Sequence, residues 1–363
     1  MVLTRAACIC LVGLLLAMTW PAWAKVSGPC VNCHTMHNSQ AGSPMAYTVS
    51  SGVTTYTSTP NKGLLNTDCV GCHQGSNSGG PVPYVLDVSQ PTYGATGTEG
   101  DTLAGGNFYW VSQGNDRAGH NVAGLAGSDV AHGNLPPGST DSAPLSQLTC
   151  AGTYGCHGAS TEIDATVALL GSHHANDMTA WNDGSTVAKS YRFLDGVQGL
   201  EDSDYEYRPT SSAHNKYYGA DRTGETESSG TISSHCGRCH NDFHNGVGEI
   251  SEGVFSNNVW LRHPTDFDMS NAAGSEYAAY NDYQGVGTPY SVISPVATAD
   301  TTTTLNQAVY QQADDAIVMC LSCHRAHGSP YDGILRWNYK NWPCENEGTD
   351  CFNGCAICHT TKD

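Results

Sequence analysis

Positive charge is scarce in this chain. Fifteen Lys and Arg residues stand against 34 Asp and Glu in 363 residues, a formal net charge of −19 at pH 7. Nucleic acid and anionic membranes repel such a polyanion and are disfavoured as partners, whereas cationic partners, metal ions and oxide surfaces are compatible with it. Long hydrophobic runs are missing too. The stretch from Ala6 to Met18 is too short for a membrane span. Arg5 before it and the small-x-small site Ala22-Trp23-Ala24 make residues 1–24 an expected export signal, so the folded unit is residues 25–363. Core material is thin as well: hydrophobic residues reach 39% even with tyrosine counted, and glycine occupies 41 positions. Such a chain cannot bury enough of its own apolar surface to offset the entropy of ordering it. Something other than polypeptide is expected to supply the core.

The cysteines say what that is. Cys30-Val31-Asn32-Cys33-His34, Cys69-Val70-Gly71-Cys72-His73, Cys236-Gly237-Arg238-Cys239-His240, Cys320-Leu321-Ser322-Cys323-His324 and Cys355-Ala356-Ile357-Cys358-His359 are five copies of Cys-x-x-Cys-His. This is the attachment pattern of haem c, two cysteines for the porphyrin vinyls and the next histidine for the iron. Zinc would take the cysteines without needing a histidine behind every pair, and a dithiol enzyme needs one pair, not five. Cys150 and Cys156-His157 keep the ending with five residues between the cysteines. Gly152 and Gly155 let the extra residues bulge outward, so this reads as a sixth site. Export agrees, because haem c is attached outside the cytoplasm.

Six proximal histidines, His34, His73, His157, His240, His324 and His359, leave ten others. His37 and His327 follow a proximal histidine by three residues and His244 by four. At that spacing a side chain points to the same side as the proximal ligand. It cannot reach the far face of the same porphyrin, so it is expected to ligate a neighbouring haem. His120 and His263 are expected distal ligands because the demand for six must be met. One of His173 and His174 is expected to serve, with His214 and His132 in reserve and His235 last. Cys344 and Cys351 close a short loop and are expected to form a disulfide.

No domain boundary is visible between residues 30 and 359. The expected fold is a multihaem cytochrome: mostly coil, short helices at the motifs, little sheet, the chain wrapped around a linear stack of haems. Residues 74–149, 158–235 and 241–319 read as wrapping loops. Leu305 to Cys320 is the best helix candidate outside the motifs. Glu201, Asp202, Asp204 and Glu206 read as an acidic loop rather than a calcium site. Trp337, Tyr339 and Trp342 are expected to cover haem faces or a subunit contact.

Several blocks, in order, are similar to the OmcS-type six-haem cytochromes of metal-reducing bacteria: Cys33-His34-Thr35-Met36-His37-Asn38-Ser39, Gly119-His120-Asn121-Val122, Cys239-His240-Asn241-Asp242-Phe243-His244-Asn245, Leu261-Arg262-His263-Pro264 and Cys320 to His327. The resemblance implies an extracellular filament with a continuous haem chain of alternating parallel and T-shaped pairs, all bis-histidine. It also implies that His37 ligates a haem of the next subunit. Two departures stand out. Ser160 occupies the place of a family histidine, leaving His173, His174 or His214 to replace it, and the segment before the last motif is shorter. The leading function is therefore extracellular electron transfer, without enzymatic activity, to external acceptors such as metal oxides. A monomeric electron shuttle and an oxyanion reductase with one open haem at the third site are the competing readings.

Overall fold

In a computed structural model the described residues are 25–26, 28–50, 53–128, 135–139, 147–175, 179–222, 229–244, 263–272, 277, 280, 288–310, 312–341 and 354–360. The expected export signal, the Cys344/Cys351 pair, His132 and Trp342 lie outside them.

Among these residues regular structure comes in short pieces. Each four-residue motif spacing forms one helical turn. The His34, His240, His324 and His359 amides donate to the Cys30, Cys236, Cys320 and Cys355 carbonyls at 2.8–3.0 Å, and Cys69–His73 is a single turn capped by Asp68, which accepts from the Gly71 amide. One turn carries the two cysteines and the histidine onto one side of the backbone. The expanded motif cannot do this. It folds as two short parallel strands, Thr149–Ala151 and Gly155–His157, joined by a loop in which Gly152 has φ +89°. A Cβ at Gly155 would press on the Ala151 backbone at 2.5 Å, so the bulge depends on both glycines.

The strands pair only in twos. The longest ladder is the hairpin Tyr47–Ser50 with Val53–Tyr56. Leu305 to Cys320, expected as a helix, instead holds the strands Ala308–Val309 and Ile317–Val318. They pair with Thr288–Pro289 and Phe267–Asp268. Val309, Ile317 and Val318 are β-branched, and a ladder partner plus a buried flank outweighs the weak helical period.

Apolar packing is divided into four small clusters, the largest around Tyr191, Tyr217, Ile232, Ile317 and Met319. Buried arginines join them. Arg325 donates from Nη1 to Ala104 O at 2.8 Å and from Nη2 to Thr96 O at 2.9 Å, tying a loop more than 200 residues away in sequence to the fifth motif. Arg336 donates from Nε to Leu321 O at 2.6 Å. The chain is mostly coil, as its composition requires.

Candidate haem sites

Successive motifs lie side by side in chain order. The sulfurs of Cys33 and Cys72 feel each other's field, as do those of Cys156 and Cys239, and those of Cys323 with Cys355 and Cys358. Cys69 and Cys150 are within hydrogen-bond reach, and so are Cys236 and Cys320. These thiols are the candidate haem attachment points. From the first site to the fifth the contacts alternate: second cysteine with second, first with first. The result is a single file of six sites.

Across five of the sites two imidazoles face each other over a gap. Ring centroids are 6.1 Å apart for His34 and His174, 6.4 Å for His73 and His173, 6.3 Å for His157 and His327, 6.2 Å for His240 and His120, and 6.3 Å for His359 and His263. A metal bonded to two imidazole nitrogens at about 2.0–2.1 Å, with each centroid about 1.1 Å further on, separates the centroids by about 6.2–6.4 Å. The gaps therefore fit a bis-histidine iron.

The other ring nitrogens are oriented for the same purpose. Nδ1 of His34, His73, His157, His240 and His324 lies 2.7–2.9 Å from the backbone oxygens of Gly63, Pro83, Arg192, Pro137 and Gly333. Donating Nδ1–H to a carbonyl fixes the tautomer with Nε2 free for metal and raises the basicity of the ligand. On the distal side His120 Nδ1 uses Ala326 O at 2.7 Å and His263 Nδ1 uses Pro264 O at 3.0 Å. Burial pulls the imidazole pKa down, to about 4 at His173 and His240 and about 3 at His327. These rings are neutral at pH 7, the form that binds a metal.

His120 and His327 are seated by a glycine crossing. The His120 amide donates to His327 O at 3.4 Å, and Gly328 bridges to both Gly106 and Gly119. Gly106 has φ +82°, and a Cβ there would overlap the Gly328 carbonyl. Two backbones meet at a distance only glycine allows, and each delivers one histidine to a different site.

His173 and His174 lie on the 3₁₀ turn Ser172–His174 and face different sites, so both are brought to a proximal histidine where only one was expected. A buried ion network backs this turn. The Lys25 amide donates to Ala175 O at 2.8 Å, and Lys25 Nζ donates to Glu201 at 2.8 Å, the two side chains only 6% and 3% exposed. Glu201 also accepts from the Arg192 amide at 2.8 Å, and Arg192 O receives His157 Nδ1. Burial alone would raise the Glu201 pKa; Arg192 and Lys25 hold it below the usual range. The acidic loop that begins at Glu201 thus serves the first three sites as a brace.

The other candidate residues lie as follows. His244 faces a carboxylate: its Nε2 is 2.9 Å from Asp266 Oδ2, with both side chains at most 2% exposed. Its Nε2 is engaged by a carboxylate, whereas each ring in the five pairs faces another imidazole. His327 faces the third site, two along from its own motif, because the glycine crossing carries it there. His214 is stacked on Tyr290 at 3.8 Å, away from any proximal ring. Trp337 is buried against Gly354 and Tyr339 is exposed.

Three histidines remain, of which His235 is buried near Cys156 and His157 of the third site, its Nε2 without a hydrogen-bond partner. Among the described residues no imidazole stands across from His324. His37 is exposed and faces no proximal ring.

Residues 313–363 match the family model "Doubled CXXCH motif". The chain is 28% identical to C-type cytochrome OmcS of Geobacter sulfurreducens over 85% of its own length and 78% of the relative's. Among solved structures it is similar to the Outer Membrane Cytochrome S filament from the same organism, with TM-score 0.45, 22% identity, and coverage of 87% and 84% of the two chains. A second match, the OmcS nanowires solved by cryo-EM, has TM-score 0.42 and 23% identity over 86% and 84%. Haem c, covalently attached at the Cys-x-x-Cys-His motifs, is the cofactor of this chain. No helix among the described residues is long and apolar enough to cross a membrane.

Proposed function

We propose that this protein is an electron conduit that works outside the cell as the subunit of a cytochrome filament. The carrying observation is the ligand count: five proximal histidines each face a second imidazole at iron-spanning distance, while His324 faces none and His37 is exposed. The ligand pairs are His34 with His174, His73 with His173, His157 with His327, His240 with His120, His359 with His263, and His324 with His37 of a neighbouring copy. The thioether positions are the cysteines of the five regular motifs together with Cys150 and Cys156.

When bound, haem c supplies a one-electron iron couple. With His37 supplied by a neighbouring copy, two imidazoles would hold the iron at every site, which would leave no position for a substrate and argues against enzymatic activity. The chain's residues also orient seven of the imidazoles, those of His34, His73, His157, His240, His324, His120 and His263, through an Nδ1 contact to a backbone carbonyl, and keep the six sites in single file. The similarity to C-type cytochrome OmcS and the expected export signal support an extracellular location, with metal oxides as acceptors. His327 opposite His157 removes the motive for an open third site.

The test is cryo-electron microscopy of material sheared from or secreted by cells. Filaments with His37 on the iron of the next copy are expected. Discrete monomers with six irons ligated inside one chain would overturn the filament and leave a diffusible shuttle.

A further inference from the structure

Residues 26–61 contain no Asp, Glu, Lys or Arg, the longest such run after residue 25. The chain as a whole carries −19, so copies brought together repel unless the meeting faces are uncharged. This run holds the exposed His37 and the hairpin Tyr47–Ser50/Val53–Tyr56. The hairpin has only two strands, and every residue of Val53–Tyr56 is exposed, with Val53 at 64% and Tyr56 at 61%. Met36, beside His37, is 80% exposed. Val53 and Tyr56 stand on opposite faces of this ladder, so each face carries one exposed apolar side chain, and a two-stranded ladder exposed on both faces is marginal in water by itself.

The hairpin is fastened to the histidine. Asn38 is buried; its Nδ2 donates to Thr57 O at 2.9 Å, and its Oδ1 accepts from the Met45 and Ala46 amides at 3.2 and 2.5 Å. Wherever His37 goes, the hairpin goes with it. At the far end, the ring that lacks a partner has its own rim. His324 Nδ1 is held by Gly333 O at 2.8 Å, and next to it a shallow cleft is lined by Pro330, Tyr331, Asp332, Asn338, Tyr339 and Lys340. Asp332 is paired with Lys340 at 2.7 Å and with Arg117 at 3.9 Å, so the cleft presents aromatic surface edged by paired charge, with no unpaired acid to repel an acidic copy.

We infer that the hairpin of strands Tyr47–Ser50 and Val53–Tyr56 docks on the Pro330–Lys340 cleft of a second copy of this chain, with Tyr56 on Tyr331 and Tyr339 and Val53 on the opposite face of the inserted hairpin. The inference rests on the proposed crossing of His37 to the His324 site and adds the surface that carries the crossing. His37 supplies a directional bond; the uncharged hairpin supplies the area and the tolerance for two acidic bodies in contact.

A photo-crosslinking residue placed at Tyr56 in the full secreted chain tests this, read by peptide mass spectrometry. Crosslinks between copies to the peptide containing residues 330–340 are expected. Assemblies whose crosslinks map elsewhere overturn the docking and leave the His37 crossing intact. Uncrosslinked monomers with all six irons low-spin overturn both. The exposed pair Val53→Asp with Tyr56→Asp gives a second reading: six haems retained, assembly reduced at least tenfold, and one haem in six high-spin. Unchanged assembly by that variant overturns the inference.

Discussion

His173 and His174 are neighbours in sequence and serve different sites, one ring facing His73 and the other His34. Successive residues on a 3₁₀ turn are about 120° apart, so one backbone turn fastens two sites at fixed separation. His173→Met should alter the near-infrared magnetic circular dichroism of one haem in six, and His174→Met that of a different one. The double variant should alter two. A single shared haem in both variants would contradict the pairing.

Replacing His244 by Asn should leave all haems low-spin, because its nitrogen is committed to Asp266. The cost falls on stability, about 1–3 kcal/mol for weakening a buried polar pair, seen as a lower thermal midpoint. A new high-spin signal would return His244 to the list of ligands.

Gly106→Ala should be worse than its size suggests. The residue needs φ +82°, and its Cβ would collide with the Gly328 carbonyl; the crossing must open, at a cost of about 1–3 kcal/mol or more. High-spin character should emerge at the third and fourth sites together, since His327 and His120 share the crossing. Resonance Raman spin-state markers check this.

Asp87 controls a pH dependence. Burial, offset in part by Asn107, raises its carboxyl to about 6 in the folded state. The folded chain therefore holds this proton more tightly than the unfolded chain does. The contribution to stability is full below about pH 4 and is lost as pH rises towards 6, about 1–3 kcal/mol in all. Asp87→Asn, which can still accept from Asn107 Nδ2, should flatten that part of the stability profile and raise the midpoint at pH 7. Parallel profiles for the two proteins would contradict it.

The sequence was legible where chemistry is local. Two cysteines and a histidine within five residues dictate one helical turn, and Gly152 and Gly155 announce the bulge that the third site needs. The shortage of aliphatic residues foretold a coil built around something else. The distal pairing was harder, because it depends on contacts distant in sequence. His244 and His327 have nearly the same local spacing, yet Asp266 captures one, while the meeting of Gly106, Gly119 and Gly328 sends the other past the adjacent site. Leu305 to Cys320 failed for a related reason: its strand partners at residues 267–268 and 288–289 leave no trace in its own periodicity.

The cysteine contacts described above run from each motif to the next, in order. A polymer of such chains is a series circuit. It has no bypass, so one subunit with a broken site interrupts every subunit beyond it. The mean conducting length is then the reciprocal of the defect frequency, and a minority of faulty copies mixed with sound ones acts dominantly. Ligand fidelity at each position therefore counts for more here than in a cytochrome that diffuses alone.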